Sequence, residues 1–155
     1  MNFLSPWVAA GLAAVVVPAL VRSHPQHARC LPWIGRVHQG EIDLVLAAHG
    51  LVLVYAVLTS LPVRPRISPR SARRLIEEYR LLPAPEGLAT VVALDTPDYT
   101  AVLESAAQNG VAGGAVYDAL IAKAADLAGV DHLVTLNPKD FRRVWPEGEE
   151  RIREP

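Results

Sequence analysis

Between Met1 and Val21 the chain carries no charged side chain, and Val, Ala and Leu dominate the stretch. About 20 predominantly apolar residues suffice to cross a bilayer. The segment therefore forces a choice between a membrane helix and a buried core. A secretory signal needs a basic segment ahead of its apolar run, and none stands here. Pro6, Gly11 and Pro18 interrupt the stretch. A buried strand followed by a buried helical turn satisfies the same pattern, as the interior of an α/β domain requires. The downstream sequence decides for that reading, and no membrane association is expected.

Beyond Arg22, apolar runs alternate with helical patterns. Ser23-His24-Pro25 reads as a helix start, followed by Ala28, Leu31, Ile34 and Val37 at helical spacing and stopped by Gly40. Pro32 disturbs the middle of that helix. Residues 42–48 read as a buried strand, His49-Gly50 as a turn, and residues 51–58 as a buried helix. Ser68-Pro69 opens the next helix, with Ser as cap and Pro where a missing N–H costs nothing. That helix is expected to reach about Leu82. Then come a loop over 83–87, a strand over 89–94, and a helix opened by Thr96-Pro97-Asp98 and closed by Asn109-Gly110. An alanine-rich helix over 115–128, closed by Gly129, leads to a strand over 132–136 and a short helical segment over 140–144. Residues 151–153 are a candidate edge strand. The alternation predicts an α/β fold with a mostly parallel central sheet of about four or five strands. A length of 155 residues predicts one domain spanning 1–155.

Lys and Arg total 15 and Asp and Glu total 16, for a net charge of −1. Such a balance exerts no bulk pull toward nucleic acid or anionic lipid, so any RNA contact needs a local patch. Arg64, Arg66, Arg70, Arg73 and Arg74 supply one candidate, a phosphate-contacting cluster. A solvated helix face, pairing with Glu77 and Glu78, explains them equally well. A lone Cys30 excludes an internal disulfide and argues against structural zinc. Both fit a reducing, cytoplasmic setting.

Candidate chemistry lies in two segments. In 113–120, Val116, Leu120 and Leu127 share one helical face, and Asp118 falls opposite, beside Ala122 and Ala125. A carboxylate on an apolar helix is costly unless it is paired or binds a cation. It also suits the positive end of the helix dipole. In 134–141, Asn137 and Asp140 follow a strand, where open parallel sheets bind ligands; Asn137-Pro138 alone is equally a plain turn. His24 and His27 lack a completing acid or cysteine for a metal site. His49 reads as a turn residue, and Trp33 and Trp145 as core or interface side chains.

Residues 113–120 and 133–141, with 23–28, 51–62 and 66–69 upstream, resemble PIN-domain proteins of the VapC toxin type, in order and at matching spacing. The resemblance implies a three-layer α/β/α fold and a Mg²⁺- or Mn²⁺-dependent endoribonuclease. It also implies an antitoxin partner and a homodimer. It assigns catalytic roles to Asp118, Asn137 and Asp140, with Asp118 as metal ligand and the arginines as RNA contacts. Two further acids of the pattern fall at Leu12 and Leu53, which are not acidic. Losing two anionic ligands weakens a hard-cation site. The expected activity is therefore a weakened or absent ribonuclease; the alternative is a catalytically silent protein- or RNA-binding module.

Overall fold

Parallel strands cannot be joined by tight turns, so each needs a long, usually helical, crossover. The computed structural model describes residues 7–10 and 12–155, with side chains from residue 15 onward. Strands β1 (Trp7–Ala10), β2 (Asp43–Ala47), β3 (Thr90–Val92), β4 (His132–Val134) and β5 (Ile152–Arg153) form one sheet in the order β3-β2-β1-β4-β5. Every pairing is parallel, with Trp7 opposite Asp43, Val8 opposite His132, Val45 opposite Thr90 and Leu133 opposite Ile152.

Helices α1 (Leu12–Leu20) and α2 (His27–His38) link β1 to β2, and α3 (Ala48–Ser60) and α4 (Pro69–Glu78) link β2 to β3. Then α5 (Thr96–Gln108) and α6 (Ala115–Ala128) carry the chain back across the sheet to β4. Helix α7 (Pro138–Val144) and a 3₁₀ turn (Pro146–Arg151) precede β5. Right-handed crossovers put α1–α4 on one face and α5–α7 on the other, because the strand order reverses at β1. The packing agrees: α1 meets α2 and α3, α3 meets α4, and α6 meets α5, α7 and β2.

Val15, Val16, Val17, Ala19 and Leu20 of α1 are buried, so this part of the uncharged N-terminal segment is core. No described helix is long and apolar enough to cross a membrane. Leu44, Val45, Leu46 and Ala47 are all buried, as expected of a strand covered on both faces.

Helix ends follow local chemistry, with departures from the expected boundaries, among them α7, which starts at Pro138 rather than Asp140. Ser68 Oγ accepts from the Ser71 amide, and Gly129 closes α6 in the left-handed conformation, both as expected. The cap of α5 is Asp95 rather than Thr96, in a reciprocal box with Asp98. Helix α2 starts at His27, because His24 Nδ1 accepts from the Gln26 amide and turns the chain there; Pro32 lies inside it. Helix α4 stops at Glu78 rather than near Leu82, since Arg80 adopts φ of 55° and Leu81 N–H bonds back to Ile76. His49-Gly50 is not a turn. Ala47, the last residue of β2, is also the N-cap of α3, so both residues sit in the helix's first turn. Leu127 does not share the buried face of Leu120: it is 52% exposed.

Trp145 is buried, with the Arg151 guanidinium 4.4 Å from its ring centroid. A Cβ on Gly148 would lie 2.1 Å from that ring. Gly148→Ala is therefore expected to cost about 1–3 kcal/mol by overpacking, read as a lower midpoint in urea unfolding.

Candidate functional site

The strand order reverses between β1 and β4, and open α/β sheets bind ligands at the carboxyl ends of such strands. Immediately beyond β4, Thr135 is fully buried. Its Oγ1 accepts from the Asn137 amide at 3.0 Å, and its own N–H donates to Arg153 O at 2.9 Å. The second bond extends the pairing of β4 with β5, and the first turns the chain beyond it. Pro138 then starts α7 with φ already suited to a helix, leaving Asn137 at the cap position and Asp140 in the first turn. Asn137 Nδ2 donates to Asp140 Oδ2.

Asp118 lies in the first turn of α6, which packs on α7. Its carboxyl is pushed up to about 6, first by burial and then by the charge of Asp140. Among the described residues neither carboxylate has an ion-pair partner. Three residues separated by up to 22 positions are thus gathered at one end of the sheet.

Two carboxylates and an amide form an oxygen donor set. Mg²⁺ commonly binds through one or two carboxylates while keeping several waters, so the set fits a weakly held hard cation. A fuller cage is absent: no group of three or more His, Cys, Asp or Glu gathers as a metal site among the described residues.

Leu12 is the first residue of α1, directly beyond the β1 edge, and its side chain lies outside the described part. Leu53 is half-buried on α3, one helical turn beyond His49 and therefore on the same face. His49 marks where that face points, since its ring lies against the Tyr117 backbone, next to Asp118. Burial lowers the His49 pKa, offset in part by the Tyr117 backbone, and its Nε2 is enclosed with no hydrogen-bond partner among the described residues. The turn reading of His49 missed this contact. The signal that would reveal it is the i, i+4 spacing of His49 and Leu53 on one helix.

Among the described residues no ion pair joins any of the five arginines to Asp118 or Asp140. All five are exposed, and Arg73 pairs with Glu77 at 2.8 Å. They begin four residues past the end of α3, a helix of 13 residues and about 20 Å whose other end holds His49. His24 and His27 are engaged separately, His27 Nδ1 with Pro18 O at 2.9 Å. Trp145 is core, and half-buried Trp33 packs against the core with Arg36 over its ring. A cleft of about 420 Å³ opens between α5, α6 and the α7 end, and neither Asp118 nor Asp140 lines it.

The chain is 36% identical over 129 residues to ribonuclease VapC27 of Mycobacterium tuberculosis strain H37Rv, spanning 83% of this chain and 82% of that one. It is 34% identical over 108 residues to ribonuclease VapC40 of strains CDC 1551 and H37Rv, spanning 70% of this chain and 71% of theirs. No protein-family model matches the chain.

Proposed function

Because the chain belongs to the VapC family of ribonucleases, we propose that it is a metal-assisted RNA endonuclease of reduced power, on a three-layer α/β/α PIN domain. Its reacting site is Asp118, Asp140 and Asn137. The observation that carries this reading is the unneutralised carboxylate pair: burial and the Asp140 charge hold the Asp118 carboxyl at about 6. Juxtaposed anions of this kind are relieved by a cation. Mg²⁺ or Mn²⁺, when bound, supplies an activated water and offsets phosphate charge. Asp118 and Asp140 present the oxygens, and Asn137 orients Asp140 through its side-chain amide. Arg64, Arg66, Arg70, Arg73 and Arg74 hold RNA away from the reacting bond. A second copy of the chain and an antitoxin are the proposed protein partners, supported by the outward Val52 and Tyr55 of α3.

One observation favours a second reading, a catalytically silent RNA- or protein-binding module. Leu53 occupies the position where the family resemblance places an acid, on the face that carries His49.

Thermal unfolding in Mn²⁺ against chelator separates the two. A ligand at ten times its dissociation constant stabilises the native state by about 1.4 kcal/mol, which is about 3–6 °C for a chain of this size. The ribonuclease reading expects such a rise in 10 mM Mn²⁺ and its loss in Asp118→Asn. No rise in the parent supports the silent module.

A further inference from the structure

The carboxylate pair is anionic and RNA is anionic, so a substrate phosphate needs a cation beside Asp118 and Asp140. None of the five arginines forms an ion pair with either carboxylate among the described residues. On α7, Arg142 pairs with Glu149 at 3.6 Å and Arg143 donates to the Gly110 carbonyl. On α6, Lys123 pairs with Asp98 at 3.5 Å. Lys139 remains. It is exposed, falls between Asn137 and Asp140 in the sequence, and has no ion-pair or hydrogen-bond partner among the described residues. On the facing helix, Tyr117 immediately precedes Asp118 and is 50% exposed. Its phenol adds nothing to the core, and its backbone is where His49 rests.

We propose that Lys139 and Tyr117 hold one nucleotide of an RNA substrate across the Asp118–Asp140 pair, Lys139 taking a phosphate and Tyr117 stacking on a base. The proposal rests on the ribonuclease reading and adds to it the residues that seat the substrate at the carboxylates. A lysine is a compact point charge suited to a single phosphate. An exposed tyrosine ring offers a stacking surface that tolerates any base. The two contacts leave different signatures. A phosphate contact sets the salt dependence of binding, whereas stacking sets affinity at every salt concentration.

The test is fluorescence anisotropy with a labelled single-stranded RNA, 2′-O-methylated throughout so that it cannot be cut, in chelator, over a series of salt concentrations. Lys139→Gln is expected to reduce the slope of log affinity against log salt by about 0.7, one single-strand phosphate, and Lys139→Arg to keep it. Tyr117→Leu is expected to weaken binding about tenfold with the slope unchanged, and Tyr117→Phe to bind as the parent does. Both side chains are exposed, and circular dichroism melts verify that each variant is folded. A Lys139→Gln protein with the parent's slope, or a Tyr117→Leu protein with the parent's affinity, overturns the proposal while RNA binding by the parent stands. A parent that does not bind the RNA overturns the ribonuclease reading as well.

Discussion

Asp118→Asn stabilises the metal-free protein at pH 8 and stabilises it far less at pH 4. The Asp118 carboxyl is raised to about 6 in the native state, by burial and then by Asp140, above the ordinary value of about 3.9 in the unfolded chain. Between those values the native state binds more protons than the unfolded state, so stability falls as pH rises through the window. Above about pH 6 the full penalty of an ionised, half-buried Asp118 is present. As pH falls below about 4 the unfolded state is protonated as well, and the penalty vanishes. The gain in Asp118→Asn is about 2 kcal/mol at pH 8, equivalent to about 4–8 °C in Tm. Melting curves of parent and variant in chelator from pH 4 to pH 8 measure it. A constant difference across that range would show that Asp118 carries no raised carboxyl. Added Mn²⁺ narrows the difference, because only the parent keeps the ligand.

The second large effect concerns the two leucines. Leu12→Asp with Leu53→Glu is expected to raise Mn²⁺-dependent RNA cleavage at least about 100-fold over the parent, about 2.7 kcal/mol of barrier. Leu12 begins α1 at the carboxyl end of β1, and Leu53 shares the α3 face of His49. New carboxylates there add oxygen ligands to the donor set of Asp118 and Asp140. Without a cation, Leu53→Glu alone is expected to cost about 1–3 kcal/mol, the penalty of a partly buried charge without a partner. Cleavage with and without chelator is the measurement, and Asp118→Ala in the double variant should abolish it. A double variant that folds and binds Mn²⁺ yet cleaves no better than the parent would overturn the restoration. Efficient cleavage by the parent itself would mean that Asp118, Asn137 and Asp140 suffice.

Much of the site was legible because it depends on chemistry within a few residues. Asn137-Pro138 at a strand end and Asp118 on an alanine-rich helix are local signatures, and each carries its reason in its immediate neighbours. Cation placement was not legible in the same way. Five arginines between 64 and 74 form the densest basic run in the chain, yet none of them pairs with Asp118 or Asp140 among the described residues. Lys139, a single cation in an unremarkable string, stands between Asn137 and Asp140.

The sequence alone determined the alternation of strands and helices, the Ser68 cap, the Gly129 stop and the burial of residues 15–17, since these follow from hydropathy and from hydrogen bonds a few residues long. Tertiary structure decided where β2 gives way to α3, which made His49 a packed helix residue instead of a turn. It also decided the meeting of Asp118 with Asp140. That contact requires β4 to pair with β1 rather than with β3, its predecessor in the chain, so that α6 and α7 come together at the switch point. Strand order is set by which apolar faces bury one another across the whole chain, and no local pattern encodes it.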